Sequence, residues 1–420
     1  MPNQNAFRVK IALPILLLIS VLFCVEFVKG ALLIAILPVF MKSVLGLSAF
    51  SIGLSLALQY VGDNAFRSPA GWLMDRIGYR SAMLMGLLVA IGAIMMAAKS
   101  GGAWWMAAAC ALLGIGTSPL WPCVISLATE TAGERARGTV MSFIYAAWFS
   151  GAGLGPIVIN LVAGKTFAAS FRLLFALMAA ATLAVLFLPG AWRLPAGKKR
   201  RHPLAPGFPS PLSLQAALRS RIGGFWRAAG EIRRSLSFNP WFYPAMFANN
   251  LTLGLLIPVV TIYARNILHL TPQQYSFLLF SGGAVAVIML FPVGRWVDKR
   301  GSKWFLHLGF SLTAAALFVF SFVKAVPQVL IVAVLLGAGY AMVIPAWKAL
   351  IAHAVPAKGR GSVWGVILTI EGGGMICGTI ISGKLWDLFG YHAPFITGAA
   401  VMAALFAVHL LVLSRPRQAQ

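Results

Sequence analysis

Runs of about twenty apolar residues recur from one end of this chain to the other, each long enough to cross ~30 Å of hydrocarbon as a helix. A backbone in lipid must satisfy its own hydrogen bonds, so a chain built of such runs has few choices besides a helical bundle. The runs place helices near 11–40, 49–70, 82–100, 103–128, 138–163, 168–190, 241–265, 273–297, 304–324, 327–352, 361–385 and 391–414. Hydrophobic residues make up 60% of the chain and charged residues 10%, a balance far from that of a soluble domain. The spans fall six and six about a polar, proline-bearing stretch at 191–240.

The two sets of six are copies. Gly71, Asp75, Arg76, Gly78 and Arg80 return as Gly294, Asp298, Lys299, Gly301 and Lys303, a displacement of 223 residues (294 minus 71). The same displacement carries Gly114, Gly116, Pro122, Arg137 and Gly138 onto Gly337, Gly339, Pro345, Arg360 and Gly361, and Gly151 and Gly155 onto Gly374 and Gly378. One register held over so many Gly and Pro positions is an internal duplication in the same direction. Parallel repeats of six helices are the architecture of major facilitator superfamily transporters. The chain resembles that superfamily over nearly its whole length, most specifically in the duplicated charged loop. The resemblance implies an all-α integral membrane fold of twelve transmembrane helices: an N-terminal bundle (1–190), a cytoplasmic linker (191–240) and a C-terminal bundle (241–420). The Asp75 and Asp298 loops would then lock or release one side of the molecule through charge contacts with neighbouring helix ends.

A net charge of +25 in a soluble protein would suggest a nucleic-acid partner, but here the cations sit where topology asks for them. Arg8 and Lys10, Arg76 and Arg80, Arg135 and Arg137, Lys299 and Arg300, Lys358 and Arg360, and Arg415 and Arg417 all fall on one side of the predicted spans. The positive-inside rule puts that side, with both termini, in the cytoplasm, and no nucleic-acid partner is expected. The first span contains Glu26 and Lys29 and is too long for the apolar core of a signal peptide, so it is expected to be retained. Cys24, Cys110, Cys123 and Cys377 lie singly in apolar spans and read as packing residues. Residues 213–236 of the linker read as a basic amphipathic helix, either lying on an anionic leaflet or simply solvated. It is also a candidate contact for lipid-synthesis enzymes.

Of the nine carboxylates, Glu26, Asp63 and Glu371 lie deep in spans. Lys29 follows Glu26 at i+3 on one face, and Asp63 shares a face with Gln59 and Arg67. A charge at mid-membrane costs ~2.5 kcal/mol or more, so such residues normally face a wet cavity and act there. Two carboxylates around one cation suit two tasks: hydrogen bonding the hydroxyls of a sugar, and exchanging a proton in the neutral range. Trp121, Tyr145 and Trp148 add aromatic faces in the fourth and fifth spans. In the second half, the counterpart of Glu26 is Asn249 and that of Asp63 is Ala286, so charge is expected mostly in the first half, with Glu371, Lys348, Asn249, Asn250 and His353 as weaker polar groups opposite. A cavity polar on one wall and apolar on the other suits an amphipathic substrate. The sequence contains no nucleotide-binding Gly-rich loop and no metal or nucleophile constellation, so a secondary carrier driven by a proton gradient is expected, with no other cofactor and no enzymatic activity.

These residues resemble a narrower family, the proton-coupled glycolipid flippases that supply the lipid anchor of lipoteichoic acid in Gram-positive bacteria. The resemblance rests on Glu26 to Gly30, Asp63, Ser118 to Trp121, Tyr145 to Trp148, Pro345-Ala346-Trp347 and Trp364-Gly365-Val366. It implies a cell-membrane protein in which Glu26, Lys29, Asp63, Trp121, Tyr145 and Trp148, with Asn249, Trp347 and Glu371 opposite, bind a diglucosyl headgroup. The acyl chains would run along the apolar C-terminal half, and Glu26 and Asp63 would carry the proton. Two positions depart from the family pattern: residue 29 is Lys where Arg is expected, and residue 371 is Glu where an amide is expected, which makes it a second candidate proton site. Gly151 to Pro156 resembles the Gly-Pro motif of proton-driven antiporters, and a multidrug or small-molecule exporter is the alternative.

Overall fold

A computed structural model describes residues 4–162, 166–188, 241–354 and 360–413. The linker, including 213–236, lies outside the described residues. The described residues form twelve membrane-length helices: α1 (Leu13–Ser43), α2 (Ala49–Ile77), α3 (Tyr79–Ala98), α4 (Ala103–Ala128), α5 (Phe143–Val162), α6 (Phe167–Leu186), α7 (Phe242–Ile267), α8 (Pro272–Arg300), α9 (Lys303–Phe320), α10 (Val326–Ile351), α11 (Arg360–Phe389) and α12 (Ala393–Leu411). Ten of them are apolar enough to cross a membrane by composition alone. The other two, α2 and α11, are 29 and 30 residues long, or about 44 Å at 1.5 Å per residue. Their charged and small residues lower their apolarity, and these two helices pack against each other across the halves.

Local signals explain the helix ends. Ser48 caps α2 by accepting from the Ser51 amide at 3.1 Å, and Thr271 with Gln274 forms a reciprocal capping box on α8. The duplicated loops end their helices in one conformation. Gly78 (φ +87°) donates its amide to Met74 O at 2.9 Å, and Gly301 (φ +80°) donates to Val297 O at 2.8 Å. A positive φ is open to Gly and strained for other residues, so the repeat is a repeat of backbone geometry.

Helix runs without interruption from Leu120 to Val162, yet the rings of Trp121 and Trp148 lie 5.8 Å apart. A straight helix would separate residues 27 positions apart by ~40 Å, so the chain reverses between them and α4 and α5 are two antiparallel crossings. Within the halves α1 packs on α5 and α7 on α11, while α2 meets α11 and α5 meets α8 between them.

The hydrogen bonds between described residues of the two halves all lie at one end of the bundle, the end holding residues 44–48, 268–271 and 390–392. Asp387, in the last turn of α11, accepts from the amides of Ala49 (3.0 Å) and Phe50 (2.8 Å) at the start of α2. Thr261 bonds the carbonyl of Ile34, which lies in the π-helical stretch of α1, and Ser276 donates to Ile157 O at 3.0 Å. Among the described residues, these bonds join the halves at the end away from Gly78 and Gly301.

Candidate functional site

The site begins with two glycines. A Cβ at Gly114 of α4 would lie 2.8 Å from the Asp63 amide, and one at Gly151 of α5 would lie 3.2 Å from Glu26 Cβ. Any side chain there would push the helices apart, so Gly seats α4 and α5 directly on the charged turns of α2 and α1. Trp121 lies two turns beyond Gly114 and Trp148 one turn before Gly151, so each indole shares a helix face with the glycine that packs on a charged turn.

Glu26 and Asp63 are each only 8% exposed. Lys29 Nζ stands 3.3 Å from Glu26 Oε1 and 3.5 Å from Asp63 Oδ2, bridging α1 and α2, and an Arg67 guanidinium nitrogen lies 3.4 Å from the same Asp63 oxygen. Two buried anions and two partly buried cations thus form a charge-balanced cluster. Gln59, one turn from Asp63, is fully buried and neither its Oε1 nor its Nε2 has a partner. Trp121, Tyr145 and Trp148 contact one another at centroid distances of 5.7, 5.8 and 6.3 Å, and Tyr145 is exposed.

The second half differs from expectation. Lys348 of α10 donates to both oxygens of Glu371 on α11, at 2.7 and 2.9 Å, so the C-terminal half also holds a strong ion pair. Charge is not confined to the first half. Asn249 is buried with its Oδ1 unpartnered, which suits a cavity role. Trp347 is not brought to the site: at 2% exposure it stacks on Phe242 (6.0 Å) and meets Phe310 edge-on (6.1 Å) in the core of the C-terminal bundle. The side chains of Asp75, His353 and 364–366 lie outside the described residues. Gly71 and Gly294 have open space where a Cβ would be, Arg80 is partly buried, and Arg76 and Lys299 sit in the last turns of α2 and α8, where cations complement the helix dipole. Asp298 is exposed and makes no ion pair with a described residue.

Sequence reasoning missed the Lys348–Glu371 pairing and the Asp387 cap. Both join residues far apart in the chain, 23 and 338 positions respectively, so no local spacing announces them. Among the described residues no group of three or more His, Cys, Asp or Glu side chains could hold a metal ion. The geometry offers a charge-balanced group of hydrogen-bonding side chains on α1 and α2 and an aromatic cluster on α4 and α5, which pack on them.

The chain is 23% identical over 384 residues to a protein of Staphylococcus saprophyticus named proton-coupled antiporter flippase LtaA, covering 89% of this chain and 87% of that one. A protein of the same name from Staphylococcus haemolyticus is 21% identical over 96% of both chains. Among solved structures, the nucleoside transporter NupG superposes with a TM-score of 0.74 at 14% identity, over 96% of this chain and 100% of that one. The peptide transporter POT does so with a TM-score of 0.69 at 18% identity, over 95% and 94%. The sequence pattern of the Major Facilitator Superfamily matches residues 18–247 and again 242–420, one match for each half of the bundle. With both halves matched and the fold shared, the chain belongs to the Major Facilitator Superfamily, a multi-pass membrane transporter.

Proposed function

We propose that this transporter flips a glycolipid from the inner to the outer leaflet by alternating access, in exchange for protons. The observation that carries the reading is the Lys29-bridged Glu26–Asp63 pair beside the Trp121–Tyr145–Trp148 cluster. The two buried carboxylates are already balanced by Lys29 and the partly exposed Arg67, so a charged headgroup would upset that balance, while a neutral sugar can hydrogen-bond without doing so. Indole and phenol faces suit sugar rings. The acyl chains lie against the apolar turns of α7 and α8, where the charged positions of the first half are Asn249 and Ala286. The printed names of the staphylococcal relatives support proton-coupled flipping, and a diglucosyl-diacylglycerol is the candidate lipid. The same relatives favour a Gram-positive cell membrane, and the cation distribution puts both termini in the cytoplasm.

Coupling works through Asp63 or Glu26. A proton taken by either carboxylate frees Lys29 from one partner, so the contact between α1 and α2 depends on proton occupancy. The helices of the two halves can then rock about the site, opening the fastened end while the Gly78 and Gly301 loops close the other. No covalent bond of the lipid changes.

The test is leaflet exchange of a fluorescent diglucosyl-diacylglycerol in proteoliposomes, with and without an imposed proton gradient, for wild type and Asp63→Asn. Gradient-driven flipping that falls to the protein-free background in the variant supports the reading. Absence of flipping with proton-driven export of a soluble dye from the same vesicles replaces it with the small-molecule exporter.

A further inference from the structure

We infer that Glu371, gripped by Lys348, is a second proton-exchange site, set in the C-terminal half and distinct from the Glu26–Asp63 cluster. This rests on the proton-coupled reading above and adds a carrier group to it. The Glu371 side chain is 10% exposed and has both oxygens on one ammonium, while the Lys348 side chain is 46% exposed. The carboxylate is thus buried behind a cation whose own side chain is half exposed, so the ion pair can open by movement of the Lys348 side chain alone.

The duplication argues against a purely architectural role. Glu371 and Lys348 correspond to Trp148 and Ile125 of the first half (371 and 348 minus 223), so an equivalent six-helix bundle holds together without any ion pair at these positions. A buried pair is weak support for stability in any case, since desolvation offsets most of the attraction. The pair also has a route of communication. At the next residue of α11, a Cβ on Gly372 would lie 3.3 Å from Asn64 Oδ1, and Asn64 adjoins Asp63 on α2. The charged and titratable groups with described side chains on the helices packed against α11 are Tyr60, Asp63, Arg67 and Arg76 on α2, Tyr243, Tyr263 and Arg265 on α7, and His409 on α12, whose ring rests on His307 at 4.7 Å, while Lys348 reaches Glu371 from α10.

The step balances simply. One carboxylate oxygen of Glu371 gains a proton and forms an O–H bond, the ion pair opens, and Lys348 keeps its protons and its charge. Loss of that proton restores the pair, and no electrons move. Each half of the transporter then carries its own proton-dependent contact.

The experiment compares wild type, Glu371→Gln, Glu371→Asp and Asp63→Asn in proteoliposomes holding an entrapped pH indicator and the fluorescent diglucosyl-diacylglycerol, read as protons moved per lipid flipped. In detergent, the infrared band of protonated carboxyl groups is titrated in parallel. The ratio is expected to fall by about one proton per lipid in Glu371→Gln, since one exchangeable carboxyl is gone, and to recover in Glu371→Asp. The infrared band should lose one titrating carboxyl in Glu371→Gln. Lys348→Gln, which keeps the carboxyl but removes its partner, should alter the dependence of that band on pH. An unchanged ratio and an unchanged band in Glu371→Gln, with coupling still lost in Asp63→Asn, overturn this site alone. A wild type that flips lipid without moving protons overturns both the site and the coupling. Should Glu371→Gln fail to assemble in liposomes, a Lys348→Gln band that titrates like wild type overturns the inference.

Discussion

The two halves of the bundle share a backbone and differ in where they keep their charges. In the first half, α1 and α2 carry Glu26, Lys29, Asp63 and Arg67, and α4 and α5 carry the aromatic cluster. In the second half, the counterparts of α1 and α2 carry Asn249, Thr252 and Ala286, while the counterparts of α4 and α5 carry Lys348 and Glu371. Because α2 packs on α11 and α5 packs on α8, this exchange gathers Asp63, Arg67 and Glu371 onto helices of one seam and leaves Tyr145 and Trp148 on a helix of the other. The two halves thus place their charges on different helices of the repeat. Duplication preserved the punctuation that shapes the helices, and the chemistry of each copy diverged around it.

The largest effect that would sharpen this comparison comes from unpairing the first half. Lys29→Ala leaves buried Glu26 without its cation and Asp63 with Arg67 alone, and breaking such a group typically costs ~3–5 kcal/mol. A fall in the thermal midpoint of the purified protein, recovered in Lys29→Arg, checks it. A midpoint unchanged in Lys29→Ala would mean that the first-half charges are solvated and that the two clusters do not differ as described.

Trp347→Ala should produce a loss of similar or slightly smaller size for a different reason. It empties a packed position between Phe242 and Phe310, and large-to-small changes of this kind cost ~3–5 kcal/mol. Its apparent affinity for lipid should stay that of wild type in the molecules that remain folded. A selective change in affinity would place Trp347 on the substrate path. The smallest effect is expected from Trp148→Ala. Loss of one aromatic face is worth ~0.5–1.5 kcal/mol, or roughly a three- to tenfold rise in KM for the fluorescent lipid with little change in thermal midpoint. Trp148→Phe should keep most of the affinity.

Much of this was legible in the sequence, for identifiable reasons. The Gly78 and Gly301 turns were readable because positive φ demands Gly, and the fixed register made the demand visible twice. Glu26 with Lys29 and Asp63 with Arg67 were readable because i+3 and i+4 neighbours share a helix face. The direction of Trp347 was not readable. A membrane helix is apolar on every side, so α10 offers no periodicity to separate its core face from its cavity face. The Lys348–Glu371 pair was hidden for the converse reason: each residue is visible as a charge, but their meeting depends on how α10 and α11 are placed in three dimensions.

Asp387 leads to one more consequence. Its two bonds to the amides of Ala49 and Phe50 sit where a helix begins and a bundle ends, so both partners pass to water, and not to lipid, when the halves part there. Each such bond is then traded for one to solvent at a net ~0.5–1.5 kcal/mol, and the pair together biases the resting population by roughly five- to 150-fold. A bias of that size behaves like a door spring: it favours one posture of the carrier without locking it there.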